Sequence, residues 1–229
     1  MSTILVADDD PDVRHSVTAT LQSRQYRVVV ASDGREAYHK AMLERPDLVI
    51  LDVEMPDQDG FEVLQKIRHR STVPVIFLSV RNAEVDAVLG LKMGADAYLT
   101  KPFSEQVLLA NVEAMLRRTT RYRASGSAGN VIEAQDLEID CDACEVRRAG
   151  EVIKLTSTEY KLLQYLAERC GKVVARDVLL DHISGCSWDG YTSRAVDVYI
   201  GRIRRKLGDD PVHPRYLVTV PGIGYKLQR

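Results

Sequence analysis

Apolar residues in the first half of the chain come in short unbroken blocks separated by polar stretches. The blocks are Ile4-Leu5-Val6-Ala7, Val28-Val29-Val30, Leu48-Val49-Ile50-Leu51, Val75-Ile76-Phe77-Leu78 and Ala97-Tyr98-Leu99-Thr100. With no polar alternation, each reads as a strand buried on both faces, as in a parallel sheet. The stretches between them carry apolar residues at helical spacing. Asp10-Pro11-Asp12 opens a first helix with Val13, Val17 and Leu21 inward, and Asp33-Gly34 a second with Ala37 and Ala41. Gly60 starts a third with Val63, Leu64 and Ile67. Asn82 caps a fourth with Val85, Val88 and Leu89, ended by Gly94. Ser104 caps a fifth with Leu108, Val112 and Met115 or Leu116. Five strands alternating with five helices predict an α/β fold, a doubly wound five-stranded parallel sheet.

The period changes after Arg117. Residues 117–130 are rich in Arg, Thr, Ser, Gly and Ala and have almost nothing to bury, so a linker is expected. The boundaries read as 1–120, a linker at 121–130, and a second domain at 131–229. In the second domain, short runs from Val131 to Lys154 predict a small antiparallel sheet. Thr156 and Glu159 have the spacing of a capping box, with Leu155 and Tyr160 as its hydrophobic staple. Leu163 and Leu166 continue that helix to Gly171. A second helix spans about 175–183, followed by a Ser184–Gly190 loop with Trp188, and a third helix runs from Ser193 to Leu207. A hairpin over Tyr216–Val220 and Tyr225–Leu227 closes an α+β domain.

Composition adds little until charge is located. The 229 residues, 45% hydrophobic and 28% charged, suit two ordinary globular domains. The net charge is −2. Residues 1–122 hold 15 Lys+Arg against 18 Asp+Glu, and the remainder 16 against 15. There is no apolar signal-peptide core and no run near the ~20 residues of a membrane span, so a cytoplasmic protein without a membrane partner is expected. Cys141-Asp-Ala-Cys144 has the spacing of a metal knuckle or redox pair. No second pair follows, and the plainer reading is two ordinary turn or strand thiols.

The chemistry gathers at the carboxyl ends of the strands, where open α/β sheets bind ligands. There the first strand runs into Asp8-Asp9-Asp10, the third ends in Asp52, the fourth in Ser79 and the fifth in Lys101. Carboxylates crowded in this way call for a divalent cation, and hard oxygens with room for water favour magnesium. A carboxylate beside a metal and a lysine can attack phosphorus and become an acyl phosphate. In the second domain, basic charge sits on the third helix: Arg194, Arg202, Arg204, Arg205 and Lys206 against Asp197. Its apolar stripe is Val196, Ile200, Ile203 and Leu207. The opposite face, at 100° per residue, reads as Arg194, Val198, Gly201, Arg202 and Arg205.

The first half, through its acidic cluster, Asp52, Ser79 and Lys101-Pro102, resembles the receiver domain of two-component response regulators. That resemblance implies strand order 2-1-3-4-5 and phosphorylation of Asp52 by a partner histidine kinase. It implies Mg2+ held by Asp8, Asp9, Asp52 and the Glu54 backbone carbonyl. It also implies switch or phosphoryl-contacting roles for Ser79, Tyr98 and Lys101, and a cis bond to Pro102. Where such receivers have a small residue after the switch hydroxyl, this chain has Val80, which would crowd the pocket.

The second half resembles the winged-helix domain of the OmpR/PhoB subfamily, through Leu155–Tyr160, Arg194–Leu207 and Val220-Pro-Gly-Ile-Gly-Tyr225. Double-stranded DNA contacts are then expected from Arg194, Val198, Arg202, Arg204, Arg205 and Lys206. Pro221 stands where the wing commonly has an Arg, leaving Arg215 or Lys226 for its contacts.

The function implied is a DNA-binding transcriptional response regulator, acting as a homodimer and meeting RNA polymerase. It is not an enzyme beyond its own phosphorylation and dephosphorylation. The alternative is a regulator whose receiver dimerises constitutively without phosphorylation. On the receiver pairing face, the residues at the usual charged positions are Ala87, Ala97, Val107 and Asn111, with Asp96 set against Glu113. An apolar rather than ion-paired dimer is expected from them.

Overall fold

The structure, a computed structural model, is described for residues 1–80, 84–121, 131–184 and 194–229, leaving aside the side chains of 84–88, 117–121 and 184. The chain divides into two compact units, Met1–Arg117 and Arg118–Arg229. Of the expected linker, residues 122–130 lie outside the described residues, as do the Asn82 cap and the loop with Trp188.

In the first unit, β1 (Thr3–Ala7), β2 (Arg27–Ala31), β3 (Leu48–Asp52), β4 (Val75–Ser79) and β5 (Ala97–Thr100) alternate with α1 (Pro11–Ser23), α2 (Gly34–Glu44), α3 (Gly60–Arg68), α4 (Glu84–Met93) and α5 (Glu105–Arg121). The strands form one parallel sheet in the order β2-β1-β3-β4-β5. Every residue of β3 and β4 is buried, as unbroken apolar runs require when helices cover both faces. Most of the residues expected to face inward do so: Val17, Leu21, Ala37, Ala41, Val63, Leu64, Ile67, Leu108, Val112 and Met115 are buried, whereas Val13 is half-buried and Leu89 of α4, expected inward, is 44% exposed. Asp10, Asp33 and Asp59 cap α1, α2 and α3 by accepting from backbone N–H groups one turn on.

The second unit begins with an antiparallel sheet of β6 (Val131–Ala134), β7 (Leu137–Asp140), β8 (Glu145–Arg148) and β9 (Glu151–Ile153) in chain order. Three helices follow, α6 (Ser157–Ala167), α7 (Arg176–Ser184) and α8 (Arg194–Leu207). A second sheet has the order β10-β12-β11, from β10 (Val174–Ala175), β11 (Leu217–Val220) and β12 (Gly224–Leu227). β10 was not foreseen. Two residues carry too little pattern, and it exists because β12 offers it an edge, with Val174 opposite Tyr225. A Cβ on Gly224 would overlap the Val174 carbonyl, so that close pairing requires glycine.

Candidate phosphoryl site and nucleic-acid interface

Buried strands deliver the receiver chemistry to one edge. β1 ends at Ala7, so Asp8 follows it directly and is fully buried, while Asp9 is exposed. Asp52 is the last residue of β3 and Ser79 the last of β4, and both are buried. Gly60 sits against Asp52 so closely that a Cβ would overlap its carbonyl oxygen, which lets α3 start beside the site. Lys101 Nζ lies 2.7 Å from Asp8 Oδ2 and 2.7 Å from Asp52 Oδ2. Asp52 Oδ1 accepts from the Glu54 backbone N–H at 3.2 Å. The Lys101–Pro102 peptide bond is cis.

Carboxylate oxygens of Asp8, Asp9 and Asp52 lie within 4.8 Å of one another. Three carboxylates against one ammonium leave two negative charges, which a divalent ion would balance. Lys101 already stands between two of the acids as a cation would. The donor set is all hard oxygen, and it fits Mg2+. Burial, opposed by the Lys101 hydrogen bond and aided by repulsion from Asp8, raises the Asp52 carboxyl above its ordinary range. Lys101 is pushed up by its bonds to Asp52 and Asp8 against the opposing effect of burial. Tyr98 is buried with its ring 6.3 Å from that of Phe77, and Val80 stands 60% exposed.

A raised carboxyl means that Asp52 favours folding in its protonated form. Its contribution is complete below the ordinary aspartate range and is lost as pH rises through the raised value. In metal-free buffer Asp52→Asn is therefore expected to stabilise the receiver at neutral pH by about 1–2 kcal/mol. The gain should shrink towards acid pH, as measured by urea unfolding from pH 4 to 8.

On the expected dimer face, several positions point inward. Asp96 is fully buried and accepts from Arg68 Nη2 at 2.8 Å and from the Val75 N–H at 3.1 Å. Ala97 and Asn111 are buried too, with Asn111 Nδ2 donating to the Val107 carbonyl at 2.9 Å. Glu113 lies 3.9 Å from Arg24 of α1, not against Asp96. The proposed apolar patch thus keeps only Val107 among described side chains, Ala87 lying outside them.

In the second unit, the face of α8 needs correcting. Arg202 is 7% exposed, with Nε 2.7 Å from Oε1 of the fully buried Glu159. Lys206, half-buried, reaches Glu159 Oε2 at 2.6 Å. That oxygen also accepts from the Thr156 N–H at 2.7 Å, the Glu159 half of the capping box. Arg204 is buried against β11, where Nη2 donates to the Leu217 carbonyl at 2.5 Å and to Thr219 Oγ1 at 2.9 Å. Arg202 and Arg204 are thus interior cations holding α8 to α6 and β11, since Glu159 and the β11 acceptors reach round the sides of the helix.

The outward stripe is Arg194, Asp197, Val198, Gly201 and Arg205, with Val198 half-buried. Asp197 Oδ1 accepts from Arg176 Nε at 2.9 Å and from the Tyr225 hydroxyl at 2.6 Å. Burial, with Asp197 second, pushes that hydroxyl up to about 12. Sequence reasoning missed Arg176 as a partner of Asp197, although its place in the first turn of a predicted helix was visible. Arg215 lies at the end of β11 away from the wing turn, 3.1 Å from Asp136, and Lys226 is half-buried on β12.

The residues and fold define a response regulator with an OmpR-type DNA-binding domain. The Response regulator receiver domain matches residues 4–113, and the Transcriptional regulatory protein, C terminal, domain matches residues 150–227. DrrB, an OmpR/PhoB homolog of Thermotoga maritima, is similar at 33% identity over all of both chains, with a TM-score of 0.51. A mutant of RitR matches at 27% identity over all of both chains, with a TM-score of 0.76. A protein described as a novel family of redox sensors in the streptococci, evolved from two-component response regulators, matches at 28% over all of both chains, with a TM-score of 0.50. This chain belongs to the OmpR/PhoB family of response regulators.

Proposed function

We propose that this regulator is switched by phosphoryl transfer from a partner histidine kinase to Asp52 and then acts on transcription by binding double-stranded DNA through α8. The observation carrying the switch is Lys101 bridging Asp8 and Asp52 at 2.7 Å each, with Ser79 at the end of the adjacent strand. Asp52 Oδ attacks phosphorus in line with the leaving group. Lys101 moves its charge onto the incoming phosphoryl oxygens, and the Ser79 hydroxyl donates to one of them. Asp8, Asp9, Asp52 and the Glu54 carbonyl would hold Mg2+, which when bound offsets charge on the transferring group. Asp8 and Lys101 keep the pocket assembled while the group is absent. The complete set of acids and the lysine favour this over a receiver that dimerises without phosphorylation.

The chain is proposed to act in the cytoplasm, as a homodimer, and to meet RNA polymerase at promoters. Turnover is limited to forming and losing its own phosphoryl group. Among the described residues no helix is long and apolar enough to cross a membrane. The test is intact mass after acetyl phosphate with and without Mg2+. One added phosphoryl group, dependent on the metal, is expected, and no addition would overturn the reading.

For DNA, Arg194→Ala and Arg205→Ala are each expected to weaken binding and to lower the slope of log K against log salt by about one. Arg202→Ala should leave that slope in place, because its charge is spent on Glu159. Titrations at several salt concentrations distinguish the two.

A further inference from the structure

The four residues joining β7 to β8 are Cys141-Asp142-Ala143-Cys144, closed below by the pairing of Asp140 with Glu145. Asp140 Oδ1 accepts from the N–H groups of Asp142 at 2.9 Å and Ala143 at 2.8 Å, which fixes the bend. Cys144 takes a left-handed backbone, φ 51°, and its Sγ folds back to 3.7 Å from the Cys141 carbonyl. Both thiols are half-buried, and neither is in a disulfide. Both also lie within hydrogen-bonding reach of one group, the Tyr160 hydroxyl, which donates to the Asp140 carbonyl at 3.0 Å. Two thiols at the ends of a four-residue turn thus flank one hydroxyl of α6.

We infer that Cys141 and Cys144 form a redox-modifiable dithiol that a hydroperoxide closes to an intramolecular disulfide. Residues three apart across a turn have Cα atoms within about 7 Å, and a disulfide spans about 4.4–6.8 Å, so the strands need not separate. The step balances. One thiol, as its thiolate, attacks a peroxide oxygen; the O–O bond breaks and hydroxide (or alkoxide) leaves, giving a sulfenic acid. The second thiolate attacks that sulfur, the S–S bond forms and the S–O bond breaks, and a second hydroxide leaves. The two thiol protons end on these leaving groups, and the sulfurs lose the two electrons that the peroxide gains. Burial pushes the Cys141 thiol up, which lowers its thiolate fraction as the attacking group.

The site neighbours the DNA reader through one helix. Tyr160 follows Glu159 on α6, and Glu159 carries the bonds to Arg202 and Lys206 of α8. The inference does not depend on phosphorylation of Asp52.

The test uses the full chain with Cys170→Ser and Cys186→Ser, so that two thiols remain. Stoichiometric hydrogen peroxide is expected to lower the intact mass by two hydrogens, abolish N-ethylmaleimide labelling at both positions and be reversed by dithiothreitol. Peptide mapping should place the cross-link at 141–144, and Cys144→Ser should remove it. Unchanged mass, oxygen addition without cross-linking, or a disulfide between two chains would each overturn the inference.

Discussion

Asp52→Ala is expected to take up no phosphoryl group from acetyl phosphate and Mg2+ under conditions where the wild type is fully modified. The reason is positional. Asp8 is the only other buried acid of the cluster, and its Oδ2 faces Lys101 from β1, on the strand beside β3. Asp9 is exposed, and although its carboxylate lies within 4.8 Å of those of Asp8 and Asp52, it has no bond to Lys101 among the described contacts. Only Asp52 lies at the end of β3 with its carboxylate between Lys101 and the Glu54 N–H. In-line attack tolerates little misplacement of the nucleophile, and neither neighbour occupies that line. Intact mass on both proteins, with peptide mapping of the wild type, decides it. A phosphoryl group on the variant would move the acceptor elsewhere.

The second large effect concerns stability. Glu159→Ala is expected to destabilise the C-terminal domain by about 3–5 kcal/mol, the usual cost of removing one partner from a buried ion pair. Arg202 would lose the carboxylate that compensates its charge, Lys206 would lose its anchor, and the Thr156 N–H would lose its acceptor. Arg205→Ala, on the exposed stripe, should cost less than about 0.5 kcal/mol. Urea unfolding of both proteins measures the contrast. Equal stabilities would mean that packing of Leu162, Leu163, Ile200 and Ile203 alone holds these helices.

Most of the fold was legible because its signals are local. β1, β3 and β4 are unbroken apolar runs, and each run ends where its functional side chain begins, so strand and site were read together. The two-residue β10 was not legible, since its pairing partner lies far along the chain. The errors on α8 have the same origin. A helical wheel knows the helix but not its neighbours, and it placed Arg202 opposite the apolar stripe because Glu159, which takes it inward, belongs to α6. Asp96, Ala97 and Asn111 were set on a surface by alignment alone. Arg68, bonded to Asp96 and to the carbonyls of Gly94 and Val73, turns that stretch inward instead.

The inward turn of Arg202 and Arg204 changes how this regulator would find its operators. Of the five basic residues on α8, only Arg194 and Arg205 are exposed, with Lys206 held by Glu159. Fewer outward-facing cations mean fewer counterions released from the phosphate backbone and a shallower grip on random sequence. A protein of this kind spends little time on the vast excess of wrong sites. Its occupancy of the right ones would then rest on base-edge contacts more than on phosphate charge.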